Sequence, residues 1–181
     1  MPSSRKDGLL TRRQFVAAGA LGSAALAAGC RKGEHDAWQF LSEDQARTLA
    51  AICDQIIPAD EFPSASQAGV LSYIDSQLMR SYRRHRDAYR RGLEAAQSLS
   101  RKRFGQDLAA LTPAQQLAVV SALELQEGHF FSLARNHTME GYYGSPRHGG
   151  NRDAVSWRMM GLPEPPPLGR AQYDLRKGGA S

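Results

Sequence analysis

The sequence predicts an all-α domain, and three observations support this prediction. Two segments open with a capping box, in which a Ser or Thr pairs with a Gln three residues later: Ser42 with Gln45, and Thr112 with Gln115. Apolar residues recur at helical spacing in several segments. No segment alternates polar and apolar residues long enough to form a sheet. We therefore expect a single domain of four to five helices, with a long irregular C-terminal loop and an extended tail.

The composition indicates how large a core the chain can form and which kinds of partner are unsupported. The chain has 181 residues, and 41% of them are hydrophobic, which is enough for one core. The formal net charge of +5 is unevenly distributed: residues 1–30 hold four basic residues and one Asp, a net of +3, which leaves +2 for residues 31–181. A nearly neutral mature chain gives no indication of nucleic-acid binding.

Residues 1–30 resemble an export signal. Arg12 and Arg13, followed by Phe15, precede an apolar run over residues 15–28 that is rich in Ala and Gly. The run is too short and too weakly apolar for a membrane-spanning helix. Paired arginines followed by Phe resemble a twin-arginine (Tat) signal, the signal of a pathway that exports folded proteins. We therefore expect a periplasmic, membrane-associated protein.

The end of the signal allows two processing sites. Ala27-Ala28-Gly29-Cys30 resembles a lipobox, in which Cys30 is lipidated and becomes the first residue. Ala25-Leu26-Ala27 is an alternative cleavage site of the A-x-A type. We favour lipidation. Since one acyl chain anchors weakly, stable attachment to the membrane would need further lipid chains or a membrane-bound partner.

The mature chain begins with a tether over residues 31–40, and the helical domain follows over residues 41–163. The first helix starts at the Ser42 capping box, carries an apolar stripe that includes Cys53, and ends before Pro58. Cys53 is expected to be a small buried hydrophobe, without a disulfide partner if Cys30 is lipidated. A second helix is predicted at about residues 67–80, with three apolar residues on one face: Leu71, Ile74 and Leu78.

The next predicted helix is rich in arginine, with six arginines within residues 80–91. Such a segment is typical of a surface that binds nucleic acid or anionic lipid. The alternative is a solvated helix face with ion pairs four residues apart, and three pairs have this spacing: Arg83–Asp87, Asp87–Arg91 and Arg90–Glu94. We favour the solvated face, with Tyr82, Tyr89, Leu93, Ala96 and Phe104 on the buried side.

Two further helices complete the domain. One starts at the Thr112 capping box, and its predicted inner face consists of Leu117, Val120 and Leu123. The last is predicted over residues 129–140, with an inner face of Phe130, Leu133, Ala134 and either His137 or Thr138. An irregular stretch over residues 141–161 follows, rich in Gly, Arg and aromatic residues. The tail over residues 164–181 is rich in Pro and Gly and is expected to be extended.

No catalytic, cofactor-binding or metal-binding residue is predicted in this chain. The sequence has no nucleophile elbow, dinucleotide fingerprint, P-loop or covalent-haem motif. One cysteine in the mature domain is too few for an iron–sulfur cluster. The alternative is a stand-alone metal-dependent enzyme, with ligands gathered at helix ends from Glu127, His129, His137 and Glu140, although their spacing matches no recognised ligand motif.

Two stretches resemble the gluconate 2-dehydrogenase subunit 3 family. "FFSLARNHTMEGYYGSPRHGGNRDAVSWRMMGLP", residues 130–163, resembles the C-terminal signature of the family. "LAAICDQIIPAD", residues 49–60, resembles its first-helix segment. The twin-arginine leader is also consistent with this family, so the resemblance covers most of residues 10–163.

The resemblance implies a non-catalytic small subunit of a periplasmic, membrane-associated dehydrogenase for sugars or sugar acids. In such complexes a flavoprotein large subunit carries FAD and oxidises the substrate, and a multihaem cytochrome c passes electrons onward. The small subunit supports maturation of the flavoprotein and carries it through the Tat pathway. The alternative to this small-subunit role is a free periplasmic lipoprotein with no flavoprotein partner.

The irregular stretch is the predicted interface with the large subunit. Aromatic residues and arginine are enriched at interface hot spots. The predicted interface residues are Tyr142, Tyr143, Arg147, Asn151, Arg152 and Trp157. The alternative is an internally packed loop, with Trp157 buried and with Asn151 and Asp153 satisfying turn amides. Both descriptions can hold at once.

Overall fold

The computed structural model describes residues 38–162, and these residues form helices and turns without any strand. The helices are α1 (Glu43–Ile56), α2 (Val70–Leu78), α3 (Arg86–Phe104), α4 (Pro113–Gln126), α5 (Gly128–Tyr143) and α6 (Val155–Met159). The all-α class is confirmed. The described residues hold six helices instead of four to five, because the predicted irregular stretch contains the short helix α6.

Both predicted capping boxes are present. The Gln45 amide donates to Ser42 Oγ at 3.2 Å, and the Ser42 amide donates to Gln45 Oε1 at 3.0 Å. Thr112 and Gln115 repeat this arrangement, with Pro113 at the first helical position of α4. Each box satisfies amides that the first helical turn leaves unpaired, so the sequence sets where α1 and α4 begin.

The core lies among four helices, since α1, α3, α4 and α5 each pack against the other three. The short helix α2 packs against α1 and α5. Helices α3 and α5 approach each other closely at Gly92, because the Phe130 ring lies over this glycine. A Cβ atom at Gly92 would lie 2.0 Å from the Phe130 Cγ atom, so only glycine fits at this position.

Cys53 is fully buried on α1, as predicted. Its thiol accepts a hydrogen bond from Thr138 Oγ1 at 3.2 Å. Burial raises the pKa of the Cys53 thiol to about 12, because a thiolate would lose its hydration. The residue is therefore a protonated core side chain in the neutral pH range.

A buried carboxylate fixes the start of the described chain. Asp75, on α2, is only 4% exposed and accepts three backbone N–H groups. The amides belong to Gln39, Phe40 and Leu41 and lie 2.7, 3.0 and 2.9 Å from the carboxylate oxygens. Three donors compensate the lost hydration of this carboxylate. Asp75 thereby fixes the direction from which the chain enters α1.

Several predictions lie outside the described residues. They are the export signal with Arg12, Arg13 and Phe15, the lipidation candidate Cys30, and the tail over residues 164–181. The domain boundaries at residues 30, 40 and 163 stay predictions. Among residues 38–162, no helix has the length and apolar character needed to cross a bilayer.

Candidate partner-binding surface

After α5 the chain turns back and is fastened to the loop that precedes α2. The backbone amide of Arg152 donates to the carbonyl of Ala68 at 2.8 Å. Two short 3-10 turns, Pro146–His148 and Arg152–Ala154, lead into α6. The segment over residues 144–162, called here the C-terminal segment, is irregular but attached to the helical core.

Asn151 supports the C-terminal segment from inside. Its side chain is fully buried, and its backbone is left-handed, with a φ of 46°. Asn151 Nδ2 donates to the carbonyl of Gly144 at 2.8 Å, and Asn151 Oδ1 accepts from the Ser156 amide at 3.0 Å. One amide side chain therefore joins the beginning of the segment to α6. Asn tolerates the left-handed region better than most residues, which suits it to this position.

The C-terminal segment approaches α5 more closely than a side chain would allow. A Cβ atom at Gly150 would lie 2.2 Å from the carbonyl oxygen of Gly141 and 2.9 Å from its carbonyl carbon. Both atoms belong to the backbone of α5, which cannot move aside as a side chain can. Gly150 is therefore required for this contact.

The segment also keeps an unfavourable backbone conformation. Asp153 and Ala154 have φ values of 56° and 52°, in addition to the 46° of Asn151. A residue with a Cβ atom in this region costs about 1 kcal/mol or more. Ala154 and Val155 are buried, so packing maintains the conformation. Strain that packing maintains is most common at functional sites.

The structure divides the six predicted interface residues into three groups. Tyr142 and Asn151 are buried in the domain, so their side chains do not reach the surface. The Tyr142 hydroxyl donates to the carbonyl of Pro63 at 2.8 Å. Tyr143 and Trp157 are half-buried, and the Trp157 indole N–H donates to the carbonyl of Tyr143 at 3.0 Å. Arg147 and Arg152 are exposed.

The side chains of Tyr142 and Asn151 lie inside the domain and not on its surface. Tyr142 lies in α5, which continues three residues beyond its predicted end at Glu140, and its ring joins the hydrophobic core. Asn151 satisfies turn amides, as the alternative of an internally packed loop proposed. The interface itself stays a prediction, and four of its six residues have exposed or half-buried side chains.

Four other residues of this segment are exposed and were not among the predicted interface residues: His148, Arg158, Met160 and Leu162. Met160 and Leu162 are 46% and 52% exposed, although both side chains are apolar. The sequence does contain a signal for Met160 and Leu162, because apolar residues inside an irregular, charged stretch indicate a contact surface. The partner-binding surface is defined here as the following residues: Tyr143, Arg147, His148, Arg152, Trp157, Arg158, Met160 and Leu162. It combines cationic groups with exposed apolar side chains, a combination that suits a protein partner.

Two of the four residues of the predicted metal alternative, His137 and Glu140, have other partners. The His137 ring is stacked on Tyr82, with ring centroids 3.8 Å apart, and His137 Nδ1 shares a hydrogen bond of 2.9 Å with the Tyr89 hydroxyl. The Glu140 carboxylate accepts hydrogen bonds from the hydroxyls of Tyr73 and Tyr82. Within residues 38–162, no three His, Cys, Asp or Glu side chains are close enough to hold a metal ion. His137 and Glu140 therefore contribute to packing among α2, α3 and α5.

Stability is expected to fall on acidification because of His137. Burial lowers the pKa of His137 to about 4; the nearby Glu140 carboxylate opposes this shift, whereas His85 and Arg84 reinforce it. In the unfolded chain this pKa is about 6.5, so the folded state favours the neutral ring. The stabilisation is complete above pH 6.5 and is lost as the pH falls towards 4. Between pH 7 and pH 5 the loss is about 2 kcal/mol.

Denaturant unfolding at several pH values measures this contribution. The variant His137→Gln cannot titrate in this range, so its stability should change less between pH 7 and pH 5 than that of the wild type. His129→Gln is the matched control, since His129 is exposed on the same helix, and it should keep the wild-type pH dependence. Equal pH dependence in all three proteins would contradict the assignment to His137.

The fold and this surface define a class of small all-α proteins. Their most distinctive surface is formed by a glycine-containing C-terminal segment that folds back on the helices. The chain belongs to the gluconate 2-dehydrogenase subunit 3 family, whose sequence model matches residues 43–163. No curated protein and no solved structure matches the chain significantly. Membership of this family implies an accessory role beside a dehydrogenase, and the match includes both the helical core and the whole partner-binding surface.

Proposed function

We propose that this chain is the non-catalytic small subunit of a periplasmic FAD-dependent dehydrogenase complex and that its partner-binding surface binds the flavoprotein subunit. The observation that carries the proposal is the C-terminal segment, which exposes Arg147, Arg152, Met160 and Leu162 on a backbone fixed by Asn151 and Gly150. A fixed loop loses little conformational entropy on binding, which favours a stable complex.

The chemistry of the surface indicates the kind of contact that the flavoprotein would supply. Arginine forms two parallel hydrogen bonds with a carboxylate, and exposed methionine and leucine pack into apolar pockets. We therefore expect an acidic rim around an apolar depression on the flavoprotein. FAD belongs to that large subunit in this proposal, and haem c to a cytochrome subunit, so the chain itself carries no cofactor.

The proposal includes export. The twin arginines Arg12 and Arg13 support transport through the Tat pathway, which accepts folded complexes. A small subunit that binds the folded flavoprotein in the cytoplasm would therefore carry it across the membrane. Cys30 supports a lipid anchor after export. Selectivity for the substrate resides in the flavoprotein, so the substrate does not follow from this chain.

Co-purification with the flavoprotein tests the interface. The double variant Arg147→Glu/Arg152→Glu replaces two exposed cations by anions and should reduce recovery of the flavoprotein at least about 10-fold, because reversed charges oppose an acidic surface. Tyr143→Ala should also reduce recovery. The control Lys102→Glu/Arg135→Glu makes the same change in net charge outside the C-terminal segment and should leave recovery unchanged.

The proposal would be wrong if the wild-type chain recovers no flavoprotein, which is the result expected of a free lipoprotein. Undiminished recovery with Arg147→Glu/Arg152→Glu and with Tyr143→Ala would refute this interface but not the complex. Each variant is compared with the wild type by thermal unfolding, so that a loss of folding is distinguished from a loss of contact.

A further inference from the structure

A second charged surface lies away from the C-terminal segment in the sequence, in the chain that joins α2 to α3 and in the first turns of α3. We call the following six residues the arginine surface: Arg80, Arg83, Arg84, Arg86, Arg90 and Arg91. Five of the six are exposed and Arg86 is half-buried. Arg90 forms an ion pair of 3.2 Å with Asp87. The other five form no ion pair with any residue between 38 and 162.

The ion pairs that would have neutralised this surface do not form. Helix α3 begins at Arg86, so Arg83 lies in a 3-10 turn, outside the helical geometry that a pair with Asp87 requires. Asp87 pairs with Arg90, three residues on, and not with Arg91. Within residues 38–162, Arg90 and Glu94 form no ion pair either. The solvated face with compensating pairs, which the sequence favoured, is replaced by a surface with excess positive charge.

Part of the arginine surface is held in place by α2. Arg83 Nε donates to the carbonyl of Met79 at 2.8 Å, and Arg86 Nε donates to the carbonyl of Leu78 at 2.7 Å. These carbonyls lie at the C-terminal end of α2, where the helix dipole attracts cations. The fold thus brings these cations close together in spite of their mutual repulsion.

The chain enters the domain beside this surface. Phe40 is fixed by its amide to Asp75, and the guanidinium groups of Arg86 and Arg90 lie 5.5 and 5.1 Å from the centroid of its ring. Cys30 is eight residues before Trp38 in the sequence. Eight fully extended residues span at most about 28 Å, so a lipid on Cys30 would keep the arginine surface near the bilayer.

We infer that the arginine surface binds the anionic phospholipid headgroups of the membrane. Arginine suits phosphate groups, because its planar guanidinium donates two parallel hydrogen bonds. The location beside the entry of the chain favours lipid over an acidic protein. The closeness of the arginine surface to the bilayer rests on the lipid anchor at Cys30, which is part of the proposed function. Contact between the arginines and the headgroups requires neither the anchor nor the flavoprotein.

Vesicle sedimentation tests this inference with the mature chain, residues 30–181, carrying Cys30→Ser, which prevents lipidation. The probe is vesicles of phosphatidylcholine with about one third phosphatidylglycerol, compared with phosphatidylcholine alone. The chain should bind the anionic vesicles more strongly, and added salt should weaken the binding. The further change Arg80→Gln/Arg84→Gln/Arg91→Gln should weaken it about 100-fold, at about 5-fold per cation near the surface. Unlike Arg83 and Arg86, these three arginines make no side-chain hydrogen bond to the carbonyls at the end of α2, so the fold should persist.

The control Lys102→Gln/Arg103→Gln/Arg135→Gln removes the same charge from exposed positions outside both the arginine surface and the partner-binding surface, and it should retain most of the binding. Equal binding to both vesicle types would overturn the inference, as would equal losses in the two triple variants. The inference would also be overturned if Arg80→Gln/Arg84→Gln/Arg91→Gln abolishes recovery of the flavoprotein and leaves vesicle binding intact, because the surface would then bind a protein. Normal recovery of the flavoprotein together with loss of vesicle binding is the supporting result.

Discussion

The substitution Asp75→Asn is expected to lower the free energy of unfolding by about 3 kcal/mol. The buried carboxylate accepts the amides of Gln39, Phe40 and Leu41. A carboxamide has a single oxygen, and its NH₂ group would face a backbone donor, so at least one buried amide would lose its partner. Hydrogen bonds to a charged acceptor contribute more to stability than neutral ones. The free energy of unfolding therefore falls strongly, although the substitution replaces only one oxygen by an NH₂ group.

Denaturant unfolding and amide exchange measure the effect. For a domain of this size, 3 kcal/mol corresponds to a fall of about 10 °C in Tm. Exchange of the Gln39 and Leu41 amides should accelerate more than exchange in α4, because the lost contact is local. Asp87→Asn is the control: Asp87 is exposed, and its pair with Arg90 contributes less than about 1 kcal/mol. Equal unfolding midpoints for the two variants would refute the role of Asp75.

The sequence predicted the features that depend on neighbouring residues. Both capping boxes form as expected, because each involves residues only three apart. Periodicity also placed Leu71, Ile74 and Leu78 correctly on the buried face of α2. Asp75 has the same helical spacing as these apolar residues, so the pattern places a carboxylate on the buried face. Its partners are 34 to 36 residues away in the chain, and no local pattern identifies them.

Periodicity failed where a helix is apolar on more than one face. In α4 the predicted inner residue Leu117 is 54% exposed, and Val119 is fully buried instead. Leu117, Ala118, Val119 and Val120 are consecutive apolar residues, so their pattern does not define one face. The neighbouring helices decide which of them are buried.

The end of α5 was misplaced for a related reason. Gly141 resembles a helix terminator, but the helix continues to Tyr143. A Cβ atom at Gly141 would lie 2.8 Å from the Tyr73 ring, so this glycine serves the packing of α5 against α2. The composition of the irregular stretch indicated a special surface. It could not show which side chains turn inward, because that depends on contacts with the loop before α2.

The substitution Gly150→Ala is expected to destabilise the C-terminal segment by about 3 kcal/mol or more and to abolish recovery of the flavoprotein. The added Cβ would meet backbone atoms of Gly141 at 2.2 and 2.9 Å, and an α-helix cannot yield locally at that position. The segment would have to move away from α5, which would break the hydrogen bonds of Asn151 and displace Arg147 and Arg152. The variant thus tests whether the shape of the segment, and not only its charge, is needed for binding.

Gly128→Ala is the matched control, because the space around Gly128 is open and its backbone lies at the start of α5. This control should keep the stability of the wild type or gain up to about 1 kcal/mol, since alanine favours helix. Recovery of the flavoprotein is compared at a temperature where both variants retain their helical circular dichroism. If Gly150→Ala then recovers as much flavoprotein as Gly128→Ala, the geometry of the C-terminal segment is not what the partner recognises. If it recovers less than a tenth, while its helices stay folded, the close approach at Gly150 is what places the partner-binding surface.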